Sequence, residues 1–133
     1  MFVGVADTHA ALWYLYGDSR LSPFARAFLD TAAMSAVKIA VSAITVAEIV
    51  YLIDKKHIPA NAFDDVTAAL TDPNHVFQEA PFTAAIAEAL RRLPREEIPD
   101  MPDRIVAATA VYLDAPVVSR DGRIRLSNVE TVW

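Results

Sequence analysis

Apolar positions along this chain switch between continuous runs and helical spacing. "FVGVA", from Phe2 to Ala6, is small, β-branched or aromatic and almost wholly apolar, as in a strand buried on both faces. After Asp7, Ala10, Leu12, Trp13 and Tyr16 recur at helical spacing, and the pattern stops near Gly17. "SPFARAFLDTAAM" predicts a second helix, with Ser22 as N-cap and Pro23 at the first helical position. A second strand is predicted over Lys38 to Val41, then a helix containing "TVAEIVYLI" and another opened by Pro59. A short strand near His75 to Phe77 and an amphipathic helix from Phe82 to Leu93 follow. Pro94, Pro99 and Pro102 predict a stiff connection before the helix "DRIVAATAVYL". "PVVS" reads as a strand running into the turn "RDGR", and "NVETVW" as a final short strand.

Strands alternating with helices imply parallel βαβ units, hence an α/β fold with helices on both faces of a mainly parallel sheet. The 133 residues contain no Gly/Ser-rich linker, charge block or internal repeat, so one domain over residues 1–133 is expected. A chain of this size buries roughly two-thirds of its unfolded surface. The run from Ala32 to Ile53 is apolar enough to raise a membrane span, but Lys38 and Glu48 inside it are expensive in lipid and favour a buried strand followed by a helix. No basic segment precedes the first apolar run and Asp7 interrupts it, so no signal peptide is expected. Cysteine is absent, which excludes disulfides and thiolate metal sites and fits a cytoplasmic location.

A formal net charge of −5 argues against a broadly basic nucleic-acid-binding face. It leaves open an acidic site that approaches phosphate through a cation, flanked by basic residues. Arg91, Arg92 and Arg95, and then Arg120, Arg123 and Arg125, form two such clusters, for which solvated surface is the plainer account.

In a parallel sheet with right-handed crossovers, strand C-termini and helix N-termini share one edge. Asp7 at the end of the first strand, Glu48 in the first turn of its helix, Asp103 at the opening of the last long helix and Asp121 after "PVVS" are all expected there. Each also has a local explanation. Asp7 and Asp103 suit helix N-termini, where a carboxylate gains about 0.3–1 kcal/mol from the macrodipole. Thr45 and Glu48 fit the capping-box spacing, and Asp121 before Gly122 fits a turn. Caps and turns alone, however, do not require all four acids on one edge with little balancing lysine.

Clustered carboxylates repel, and a divalent cation relieves the repulsion. Oxygen ligands without a His or Cys set suit Mg²⁺ or Mn²⁺ rather than zinc. His9, His57 and His75 have no metal-binding spacing, and His9 reads as structural. Trp13, Tyr14 and Tyr16 read as packing residues. A carboxylate-held Mg²⁺ site supports phosphodiester hydrolysis. A phosphoaccepting receiver domain or an aspartyl phosphatase is the rival on a similar scaffold. The phosphatase needs a second acid close behind the first, where "DTHA" has Thr8 and His9; the receiver needs a lysine after a late strand, and none stands there.

Four segments in order, "ADTHAALWYL", "VSAITVAEI", "DMPDRIVAATA" and "VVSRDGRI", make essentially the whole chain resemble the PIN-domain nucleases, particularly VapC-like toxins of toxin–antitoxin pairs. The resemblance implies a three-layer α/β/α fold and Mg²⁺- or Mn²⁺-dependent endoribonuclease activity. By motif position it makes Asp7, Glu48 and Asp103 the main acidic constellation and Asp121 the fourth acid, with Asp100 peripheral and Thr8 a supporting candidate. Where many relatives have Thr-x-Asp, this chain has Ser119-Arg120-Asp121, so Ser119 either orders the site or serves the turn. The resemblance also implies an RNA substrate, a homodimer and a small VapB-like antitoxin as partner. A PIN-like binding or assembly module with purely structural acids is the alternative of a different class.

Overall fold

The order of apolar residues along each strand decides how the layers assemble. In the computed structural model, which describes residues 1–133, β1 (Phe2–Ala6) pairs in parallel with β2 (Lys38–Ser42) on one side and with β4 (Val117–Val118) on the other. β3 (Phe77–Ala80) adds outside β2 and β5 (Thr131–Val132) outside β4, giving a five-stranded parallel sheet in the order β3-β2-β1-β4-β5. Side chains alternate across the pleat. Val5, Ala40 and Val117 therefore enter one apolar cluster, whereas Ala6, Ile39, Val41 and Val118 enter the other.

Each cluster is closed by helices, which makes the three-layer α/β/α arrangement. Helices α1 (Thr8–Leu15) and α2 (Pro23–Met34) contribute Ala10, Trp13, Ala25 and Leu29 to one side. α5 (Ala84–Leu90), α6 (Met101–Leu113) and the short α7 (Gly122–Arg125) contribute Ile86, Val106 and Ile124 to the other. A smaller cluster joins Leu12 of α1 to Ile49 of α3 (Ala43–Asp54) and to Val66 of α4 (Ala62–Thr71). The α1–α2 layer approaches β1 closely at Gly4: a Cβ there would lie 3.0 Å from the Phe28 ring and 3.2 Å from Ile39, so any larger residue would have to displace these side chains. No helix is long and apolar enough to cross a membrane, and the run from Ala32 to Ile53 is divided between α2, β2 and α3.

Several element boundaries differ from the sequence reading. The strand expected at His75 begins only at Phe77, because Asp72 to His75 make a turn: His75 N–H donates to Asp72 O, and Phe77 N–H donates to His75 Nδ1 at 3.0 Å. Lys38 Nζ pins that turn by donating to Pro73 O at 2.8 Å and to His75 O. Pro59 precedes α4 rather than opening it; Ala62 N–H donates to Pro59 O and the helix starts after Asn61. α5 is shorter than expected, capped by Thr83 and ending as Arg91, Arg92 and Leu93 tighten into i→i−3 bonds. Pro102 belongs to the first turn of α6 rather than to the connection, a place where its missing N–H costs nothing. The last two strands are only two residues each.

The largest local correction concerns Thr45. It does not cap α3. Ser42 does, accepting from Ile44 N–H at 3.2 Å, while Thr45 lies inside the helix and is fully buried. Glu48 is thereby one turn further in than expected: α3 has no acid in its first turn.

Candidate functional site

At the C-terminal edge of β1, β2 and β4 the chain leaves each strand for a helix, and the acids meet in one cleft. Asp7 is the residue between β1 and α1. Its side chain caps α1 by accepting from Ala10 N–H at 2.8 Å. Asp100 caps α6 by accepting from Asp103 N–H at 3.0 Å, which sets Asp103 in the first turn of that helix. Asp121 caps α7, accepting from Arg123 N–H at 2.7 Å and Ile124 N–H at 3.3 Å. Cap geometry thus places three acids at helix starts, as their residue type favours. The local and the site readings are therefore compatible for Asp7, Asp100 and Asp121.

These three acids, with Glu48 and Asp103, line one cleft of about 230 Å³ together with Thr8, His9, Trp13 and Arg120. Glu48 reaches it from the second turn of α3 and accepts from the Thr8 hydroxyl at 2.5 Å. Thr8 has one hydroxyl proton, so the 3.1 Å contact between Thr8 and Thr45 has Thr45 as donor. A buried relay therefore runs from Thr45 through Thr8 to the Glu48 carboxylate. Ser119, fully buried, accepts from Asp121 N–H at 2.9 Å, and its hydroxyl stands near enough to Asp7 to favour that carboxylate's charged form.

The electrostatics of the cleft follow from crowding. Burial pushes the Asp7 carboxyl above its ordinary value, against the opposing pull of Ser119, the Ala10 amide and His9. Asp103 is pushed up to about 7, first by burial and then by the negative charges of Asp100, Asp121, Glu48 and Asp7. Both shifts have the sign expected of carboxylates held without a compensating cation. The donor set of five carboxylates with no thiolate is the chemistry of a hard divalent ion. No three of the side chains are gathered around one point as ready ligands. Asp7, Glu48, Asp100 and Asp121 each use one carboxylate oxygen in a local hydrogen bond, which orients the group and leaves its second oxygen for an ion. In charge and donor type, the residues fit such an ion.

A family model for the PIN domain matches residues 5–130. The chain belongs to the PIN domain family. No curated protein sequence matches it. Among solved structures, VapBC2 from Rickettsia felis bound to a DNA fragment from its promoter is similar at TM-score 0.68, with 18% identity and 96% of each chain covered. A toxin–antitoxin complex from Klebsiella pneumoniae is similar at TM-score 0.64, with 22% identity over 98% of this chain and 96% of the other. FitAcB from Neisseria gonorrhoeae gives TM-score 0.58 and 22% identity over 96% and 95%. At these identities the likeness concerns the fold. The parallel sheet with helices on both faces is that of a PIN domain.

Three further residues line this PIN domain's cleft: His9, for which the sequence favours a structural role, Trp13, for which it favours packing, and Arg120, whose cluster could flank an acidic site but has solvated surface as its plainer account. Trp13 does pack, being only 6% exposed, but its ring also forms part of the cleft wall, and the His9 ring packs against it tilted by 43°, with ring centroids 5.4 Å apart. Arg120 is exposed and lies over the same indole. Its position between Ser119 and Asp121 was the signal available in the sequence. Arg91, Arg92 and Arg95 do not line the cleft, and Arg91 is paired with Glu88 on the surface at 3.1 Å.

Proposed function

We propose that this PIN domain is a divalent-cation-dependent endoribonuclease acting as the toxin of a toxin–antitoxin pair. The observation that carries the reading is the convergence of Asp7, Glu48, Asp100, Asp103 and Asp121 on one cleft, where crowding and burial raise the Asp103 carboxyl to about 7. Such a cluster is poorly explained by stability, because like charges brought together oppose folding. Asp7, Glu48, Asp103 and Asp121 would hold Mg²⁺ or Mn²⁺, with Asp100 at the periphery. A bound divalent ion supplies charge stabilisation at phosphodiester oxygens and a more acidic attacking water. The chain's own contribution is to orient these acids: Thr8 fixes the Glu48 carboxylate, the Ala10 amide fixes Asp7, and Ser119 holds the Asp121 backbone.

The similar folds in toxin–antitoxin complexes support a VapB-like antitoxin as the protein partner, and the VapC-like reading carries with it a homodimer and a cytoplasmic setting. Purified protein incubated with RNA in Mg²⁺, Mn²⁺ or EDTA tests the activity. Cleavage that needs the metal and disappears in Asp7→Asn supports the nuclease. RNA left intact by the wild type in both metals, with the protein folded, favours the binding-module alternative.

A further inference from the structure

Two arginines lie over the indole of Trp13, and they differ in what else they touch. The Arg20 guanidinium carbon is 5.1 Å from the ring centroid, and its nitrogens are committed to Asp18, with Nη2 donating to Oδ2 at 2.7 Å and Nε to Oδ1 at 3.1 Å. Arg120 lies nearer, at 4.6 Å, and takes part in neither of the chain's two ion pairs. It is the one lysine or arginine lining the acidic cleft. A guanidinium beside five carboxylates is drawn toward them by Coulomb attraction and by the match between its N–H fork and a carboxylate. Here the indole face holds it instead, a cation–π contact worth about 0.5–1 kcal/mol at an exposed site.

The backbone around Arg120 is fixed on both sides. Ser119 is fully buried and its N–H donates to Val132 O at 3.2 Å, while Asp121 N–H donates to Ser119 Oγ and its carboxylate caps α7. The side chain thus projects from an anchored turn at the cleft mouth with its N–H donors unclaimed by any carboxylate. An acidic cleft repels a polyanion, and an arginine at its rim offers the bidentate, permanently charged group that suits a phosphodiester. We infer that Arg120, held in place on Trp13, binds the RNA backbone phosphate at the mouth of the cleft, with Trp13 acting as its positioning residue. The inference rests on the nuclease reading for its substrate.

Two measurements test it, using a fluorescent single-stranded RNA oligonucleotide: steady-state cleavage in Mg²⁺, and the salt dependence of binding in the non-cleaving Asp7→Asn background. Arg120→Gln should raise KM roughly tenfold, as expected for losing a hydrogen bond to a charged group, with kcat changed much less. It should also lower the slope of log affinity against log salt by about 0.7, one phosphate contact on a single strand. Arg120→Lys should keep the salt slope but recover only part of the affinity, because a lysine lacks the fork. Trp13→Phe should raise KM in the wild type and change nothing further once Arg120 is Gln. Melting curves confirm folding of each variant. A wild-type KM and salt slope in Arg120→Gln, with the parent enzyme active, would overturn the inference. If the parent cleaves no RNA, the nuclease reading fails first, and the binding arm alone decides Arg120: an unchanged salt slope rejects it, and a reduced one retains it.

Discussion

The Thr8 hydroxyl donates to Glu48 Oε1 at 2.5 Å, joining the first residue of α1 to the second turn of α3 across the acidic cleft. Thr45 stands behind it, fully buried, and donates in turn to Thr8. The three residues separate folding from chemistry in a way mutation can read. Glu48→Gln keeps an oxygen acceptor for Thr8, so the account predicts a stability change within about 1 kcal/mol, the ordinary scale of one hydrogen bond. Removing the charge should nevertheless cut metal-dependent cleavage by orders of magnitude. Urea denaturation beside a cleavage assay checks both parts, and an active Glu48→Gln protein would remove this residue from the site.

Ser42 and Thr45 exchange the roles that spacing alone suggests. Ser42→Ala removes the α3 cap and should cost about 0.5–2 kcal/mol while sparing much of the cleavage. Thr45→Val deletes the donor to Thr8 rather than a cap, and should cost about 1 kcal/mol by loss of a buried hydrogen bond. Denaturation midpoints of the two variants, measured at unchanged m-value, test this assignment.

Asp103 makes stability depend on pH. Its carboxyl is raised from 3.8 to about 7 in the folded chain, so between those values the folded state binds more protons than the unfolded state. The stabilisation is complete below about pH 4 and is lost as pH rises through about 7, the folded value, so this group makes the metal-free protein less stable at pH 8 than at pH 5. In EDTA, Asp103→Asn should flatten that part of the profile and melt above the wild type at pH 8. An identical pH dependence in the two proteins would contradict the crowding of the cleft.

Much of this was legible in the sequence, for identifiable reasons. β1 and β2 are continuous apolar runs, and Ser22-Pro23 marks the start of α2, so these elements have the predicted places. The gathering of Asp7, Glu48, Asp103 and Asp121 follows from parallel topology, which puts strand C-termini and the N-terminal ends of the helices on one edge. What was not legible depended on contacts distant in sequence. Thr45 matches a capping box by spacing, but helix α3 starts at Ala43 because Ser42 supplies the cap at the end of β2. Trp13 and Arg120 are 107 positions apart by their numbers, and only the pairing of β1 with β4 brings the indole and the guanidinium together. β3 starts at Phe77 rather than His75 because Lys38, from the neighbouring strand, pins the turn before it.

Relief of the crowding should be visible without any substrate. Millimolar Mg²⁺ or Mn²⁺ binds only the assembled acids and should raise the melting temperature with the logarithm of the ligand excess over its dissociation constant. Asp7→Asn removes one buried charge, so it should weaken the metal response while leaving the metal-free protein as stable as the wild type or more so. A thermal titration in which both proteins respond alike would deprive the cleft of its role as a cation site.

The central claim is that the acids of this cleft perform metal-dependent RNA cleavage, and Asp103→Asn tests it most directly because the change keeps shape and helix position while deleting charge. With Mg²⁺ present and both proteins shown to be folded by circular dichroism, the initial rate of RNA cleavage should be abolished in Asp103→Asn and clear in the wild type. Cleavage by the variant at near the wild-type rate would contradict the account.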